Sequence, residues 1–258
     1  VFDMKKEEYF SNPVKSRVQN VISEDSEDSY KTPQVLIDQL FRLLSLGKFN
    51  EKMIKEQIET VLMAGSETSA LSLSYVILML AMHPNVQERL YEELHSVFVS
   101  QDEETSYEHL QQLTFLDRVI NEVMRLFPSA PLIARCTRAD VPISNCTVPK
   151  NAFIMMSIYN MHRKPEIWGD DADEFNPDHF LPEKVDERHP FAYLPFSGGK
   201  RNCIGYQYAL LSIKVVLSKL FRQYRFTTDL KMTDLKLKFE VTLKLCNKHL
   251  VGLQKRVW

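Results

Sequence analysis

The chain has 258 residues, 44% of them hydrophobic and 26% charged, with 32 basic side chains against 34 acidic ones. That balance excludes disordered and collagen-like chains, and it leaves no global field to recruit nucleic acid, so a charged partner has to be met by a local patch. The four cysteines form no CxxC pair and have no matching histidine pair, which excludes a zinc framework and a disulfide scaffold and suits a reducing compartment or the cytosolic face of a membrane.

Val1 stands where an initiating methionine would, which points to a fragment. The acidic run SEDSEDS at 23–29 reads as a solvated loop. From 33 to 46, Val35, Leu36, Leu40, Leu43 and Leu44 recur at helical spacing; Pro33 suits a first turn and Gly47 ends the helix. Asn50 caps a second helix that runs to Met82 and stops at His83-Pro84, far longer than the ~11–12 residues usual in globular proteins. Its second half is nearly all apolar and should be buried, but the apolar run at 70–82 is 13 residues, short of the ~20 that cross a bilayer. No signal peptide or membrane span is visible.

Inside that helix lies Ala64-Gly65-Ser66-Glu67-Thr68-Ser69. Gly65 costs about 1 kcal/mol relative to alanine, and Ser or Thr can bond back to the preceding turn and bend it. The segment is either a kink with satisfied hydroxyls or a carboxylate and alcohols placed at a weak point for chemistry. It is not a GxSxG elbow, since the second glycine and the preceding strand are missing.

Residues 84–99 read as an amphipathic helix, followed by the acidic loop QDEET. Thr114 and Asp117 suggest a capping box that opens a helix to Phe127, before Pro128. On that helix Glu122 and Arg125 share a face; an exposed pair of this kind contributes only ~0.2–0.5 kcal/mol. Short strands are expected at 132–137, 141–144 and 152–158, then a packed irregular meander over 164–190. Helical spacing returns at 206–221, and the tail over 224–253, with FEVTLKL, alternates as strands do.

Between meander and helix stands PFSGGKRNCIGYQYA at 195–209, too rich in glycine for a helix and shaped around Cys203. Arg201 follows Gly199-Lys200 where a phosphate loop would have Ser or Thr. With AGSETS, ExxR and FNPDHF preceding it in that order, the chain resembles the C-terminal half of the cytochrome P450 superfamily of haem-thiolate monooxygenases. Phe196, Gly199, Arg201, Cys203 and Gly205 fill each fixed place of the FxxGxRxCxG signature, and the segments are similar to those of arthropod members of the family-four clan of microsomal enzymes.

The resemblance implies a mainly α protein with a small mixed β-sheet (α+β), residues 1–258 forming one partial domain. It implies haem b with Cys203 as axial ligand. A cysteine before a helix N-terminus and near Arg201 has the electropositive setting that favours a thiolate. Gly199 and Gly205 would let the backbone approach a flat cofactor, with Phe196 beside the sulfur. Arg135 and Arg201 would bind haem propionates. Glu67 and Thr68 would relay the two protons that heterolytic O–O cleavage needs, with Gly65 leaving room for oxygen. Glu122 and Arg125 would support the cysteine loop, and Leu132, Ile133 and Leu243 would line part of the substrate pocket.

Two positions depart from the family pattern. His179 stands where arginine is more usual as third member of the Glu-Arg network, so the network should weaken at high pH. Ala64 replaces a glutamate that the clan can esterify to haem, so Cys203–iron coordination should be the one bond holding the cofactor. The implied partners are NADPH–cytochrome P450 reductase, met by a basic patch at Lys200 and Arg201, cytochrome b5, and a lipophilic small molecule, on the cytosolic face of the endoplasmic reticulum with an N-terminal membrane anchor outside this chain. The rival is a catalytically inactive fragment or haem-binding scaffold; a histidine-ligated haem protein finds no supporting setting among the seven histidines.

Overall fold

The computed structural model describes residues 2–11, 35–246 and 250–258, so the acidic run at 23–29 and Pro33 lie outside the described residues. The chain folds as two compact units, Val1–Ala64 and Gly65–Trp258. In the first unit, α1 (Phe2–Ser11), α2 (Leu36–Ser45) and the opening turns of α3 (Glu51–Met82) bury Tyr9, Leu40, Phe41 and Ile54. Gly47 adopts φ +68°, and the Lys48 N–H donates to Leu43 O at 3.0 Å, the left-handed closure that glycine makes cheap. Asn50 Oδ1 accepts the Met53 N–H at 2.9 Å, the expected cap.

Helix α3 continues without interruption through 65–69, so the expected weak point does not break the helix. Back-bonding also marks the following turn, where the Ser72 and Ser74 hydroxyls donate to Thr68 O and Ala70 O at 2.9 and 2.8 Å. Ala64 to Glu67 are exposed, and burial begins at Ser72 and holds through Tyr75, Val76, Met79 and Leu80. The helix is long and apolar enough by composition to cross a membrane. Its final turns form part of the main hydrophobic core.

Around those turns pack α4 (Pro84–Val97), α5 (Tyr107–Gln112) and α6 (Thr114–Leu126). Helix α6 contributes Phe115, Leu116, Val119, Ile120, Val123 and Leu126 to the core, and Tyr75 stacks on Phe127 at 4.6 Å. The expected capping box at Thr114 is not formed. Asp117 instead pairs with Lys214 at 2.8 Å, and Glu93 of α4 reaches across to accept the Phe115 and Leu116 N–H groups at 2.5 and 2.9 Å. A capping box does form at α5, between Ser106 and His109.

Strand β1 (Leu132–Cys136) pairs with β4 (Phe153–Ser157), enclosing the hairpin of β2 (Val141–Ile143) and β3 (Cys146–Val148). Beyond α7 (Ile158–Met161), α8 (Pro165–Trp168), a 3-10 turn at Pro177–Phe180 and α9 (Pro182–Glu187) each open on proline, whose fixed φ suits a first helical position. The meander is thus a series of single turns rather than irregular chain. Helix α10 (Tyr206–Gln223) returns to the core through Ile213, Leu217 and Phe221. The tail makes β5 (Tyr224–Thr227) with β8 (Gly252–Lys255), and β6 (Leu237–Phe239) with β7 (Leu243–Leu245). The α+β class holds. Among the described residues, however, the one small mixed sheet becomes four two-stranded antiparallel pairs, two of them hairpins closed by a local turn.

Candidate active site

The loop before α10 is bent by two left-handed residues, Ser197 at φ +62° and Gly199 at φ +72°, and tightened by a 3-10 turn over Gly199–Arg201. The Cys203 N–H donates to Phe196 O at 2.9 Å and closes the loop on itself. Phe196 packs against the main core and lies 6.2 Å from the Tyr206 ring. A Cβ added at Gly205 would lie in ordinary contact with Cys203 Sγ at 4.0 Å, whereas at Gly199 the space is open and the positive φ is the constraint.

Cys203 is exposed, and so is Arg201 at the end of the 3-10 turn. The register of β1 brings Arg135 to the same loop, its Nη2 donating to Ser197 Oγ at 3.3 Å. Next to the thiol, Ile204 is 92% exposed, an apolar side chain that water does not favour. A soft sulfur donor, two guanidiniums and a bare apolar side chain fit an iron macrocycle with an apolar face and a carboxylate edge.

Behind the loop lies a buried charge network. Arg125 Nε and Nη2 donate to the two Glu122 oxygens at 2.8 Å each, and both side chains are wholly buried. The remaining Arg125 donors reach His162 O at 2.8 Å, Ala172 O at 2.5 Å and Glu174 O at 3.0 Å. The pair would be minor on a surface; buried as it is, removing one partner strands a charge, at ~3–5 kcal/mol. Burial would raise the Glu122 carboxyl, but hydrogen bonds from Arg125, His179 and the Asn176 N–H outweigh it and hold the pKa below the ordinary range.

His179, buried, sets Nδ1 3.1 Å from Glu122 Oε1 and Nε2 3.1 Å from Asp171 Oδ1, the latter outside hydrogen-bond alignment. Burial alone would lower its pKa; the Glu122 and Asp171 carboxylates reverse that and raise it. The Asn176 amide and His179 hold Asp171 down to about 2.

On helix α3, Thr68 O accepts from Ser72 and, at 3.4 Å, from Ser129 Oγ. Glu67 Oε1 lies 2.6 Å from Lys244 Nζ on β7. A Cβ at Gly65 would meet nothing within 4 Å, and Ala64 is likewise exposed. Leu132 is exposed and Ile133 partly so, whereas Leu243 is fully buried in the main core, its backbone held by Tyr75 and Ser129. Sequence reasoning missed Lys244, the Lys214–Asp117 tie between α10 and α6, and His162, whose Nε2 accepts the Leu194 N–H at 2.9 Å. A histidine within the apolar run at 154–162 was the one signal available for the last.

The cytochrome P450 family model matches residues 4–250. The chain belongs to the cytochrome P450 family. It is 43% identical over 216 residues to probable cytochrome P450 313a4 of Drosophila melanogaster, a match covering 83% of this chain and 44% of that protein. It is 37% identical over 229 residues to cytochrome P450 4c21 of Blattella germanica, covering 87% of this chain and 46% of the relative. With cytochrome P450 4g15 of Drosophila melanogaster the identity is 32% over 236 residues, covering 90% and 41%. The chain thus spans less than half the length of these curated relatives.

Proposed function

We propose that this chain is the haem-binding portion of a monooxygenase that inserts one atom of dioxygen into a lipophilic small molecule, with Cys203 as the residue that would bind the iron. The observation that carries the reading is the exposed Cys203 thiol on a loop that also receives Arg135 and is backed by the buried Glu122–Arg125 network. The stoichiometry is R–H plus dioxygen, two electrons and two protons, giving R–OH and water. Bound haem b would supply the redox-active iron, and a thiolate ligand favours O–O cleavage.

The chain's own residues would do the rest. Arg135 and Arg201 would hold the propionates, Phe196 and Gly205 would shape the space around the sulfur, and Gly199 would set the turn. Glu67, whose carboxylate lies 2.6 Å from Lys244 Nζ, and the Thr68 hydroxyl would relay protons on a stretch of α3 where Ala64 and Gly65 are exposed. Electrons come from NADPH–cytochrome P450 reductase, with cytochrome b5 as a second donor, at the face bearing Lys200 and Arg201. The intact enzyme sits on the cytosolic face of the endoplasmic reticulum through an N-terminal anchor.

The test is the carbon monoxide difference spectrum of the reduced, haem-loaded protein. A thiolate-type band that disappears in Cys203→Ser supports the reading. Thr68→Ala should keep the band while diverting electrons to hydrogen peroxide in the intact enzyme. Failure of this chain to take up haem favours the second reading, an inactive fragment.

A further inference from the structure

We propose that His162 is a positioning residue for the Cys203 loop, the link through which the Glu122–Arg125 pair sets where the sulfur stands; this rests on Cys203 being the haem ligand. His162 is wholly buried just past α7 and serves two elements at once. Its backbone oxygen takes an Arg125 N–H at 2.8 Å, and its ring Nε2 accepts the Leu194 N–H at 2.9 Å. From Leu194 the path to the sulfur is short: Leu194 O accepts the Ser197 N–H at 3.2 Å, and Phe196 O accepts the Cys203 N–H at 2.9 Å. One residue earlier, Tyr193 OH donates to Asn121 O at 2.9 Å, on the helix that carries Glu122 and Arg125.

The choice of histidine is chemically specific. To accept at Nε2, the neutral ring must carry its proton on Nδ1, and that buried N–H makes no aligned hydrogen bond among the described residues, although the Arg125 and Met124 backbones still favour the ring's proton. A leucine would fill the space without stranding a donor, and natural proteins keep few such groups without a reason. The reason here is the acceptor on the other nitrogen, which holds the entrance of a loop bent by left-handed Ser197 and Gly199. Burial, with the charges of Arg125 and Arg163 nearby, keeps the ring neutral and therefore able to accept.

The test compares His162→Gln with His162→Asn, two amides of similar polarity. Gln sets its oxygen near the place of Nε2, whereas Asn sets it near the place of Nδ1. In the chain without haem, exchange of the Leu194 amide hydrogen should quicken about tenfold in His162→Asn, the worth of one hydrogen bond, and stay near wild type in His162→Gln. In the haem-loaded protein, His162→Asn should trade most of the thiolate band for a thiol-type band at equal haem content, and His162→Gln should restore it. If the two variants behave alike in either measurement, or if His162→Asn keeps the Leu194 protection and the full band, the inference is overturned while Cys203 stands. A thiolate band that survives Cys203→Ser removes Cys203 as ligand, and the inference falls with it.

Discussion

His162 and His179 are both buried, and their proton affinities are pushed in opposite directions. Burial depresses His162 to about 4. As pH falls from about 6.5, the unfolded chain gains a proton that the folded one declines, so stability drops by about 3 kcal/mol by pH 4 and is fully present above 6.5. His179 behaves in reverse: its carboxylate partners raise its pKa, so its contribution is complete below about 6.5 and is lost as pH rises through the higher folded value. Around His179 stand Glu122 and Arg125 on α6, Asp171, and Arg188, which donates to His179 O. Denaturant unfolding from pH 4 to 9 should therefore show losses on both sides, with the alkaline loss absent in His179→Gln and the steep part of the acid loss absent in His162→Gln. The network's sensitivity at high pH was legible from His179 in FNPDHF. Its low-pH counterpart was not, because His162 contacts Leu194 32 residues downstream.

The helices show how capping can be borrowed. Sequence placed the start of α6 correctly but assigned the wrong carboxylate to it, because local spacing cannot see Glu93, 22 residues before Phe115. Burial raises the Glu93 pKa, ahead of the backbone N–H groups that lower it, so the folded state tolerates a neutral group there better than the unfolded state does. Glu93→Ala should cost about 1–2 kcal/mol, as loss of a cap does, and Glu93→Gln clearly less, read from the two melting temperatures at neutral pH. Asp117, released from capping, ties α6 to Lys214 on α10, joining the helix of the Glu-Arg pair to the helix that follows the cysteine. Where the partner was near in sequence, as for Asn50 and Met53, the cap was readable.

At the scale of the whole chain, the two units differ in the size of their cores. Among the described residues, the first rests on four buried side chains, with Phe41 touching Phe2 and Tyr9, while the second buries a cluster running from Tyr75 to Leu243. Phe41→Ala should cost about 3–5 kcal/mol, enough to melt α1 and α2 locally. Hydrogen exchange would then rise across those helices and stay unchanged in α6. Legibility followed the same division. The landmarks of the larger unit, from AGSETS to the cysteine loop, are local strings whose residue types carry their own chemistry. What joins them, Lys244 to Glu67 and Arg135 to Ser197, spans 177 and 62 residues and depends on the fold.

All four thiols of the chain, Cys136, Cys146, Cys203 and Cys246, face solvent. Cofactor occupancy is thereby convertible into a mass. Brief alkylation of the native, reduced protein should add four carbamidomethyl groups to the chain free of haem and three to the loaded one, with the peptide containing Cys203 spared. That counts occupied molecules one by one, with no light absorbed, and a fourth adduct on the loaded protein would mean the iron had settled elsewhere.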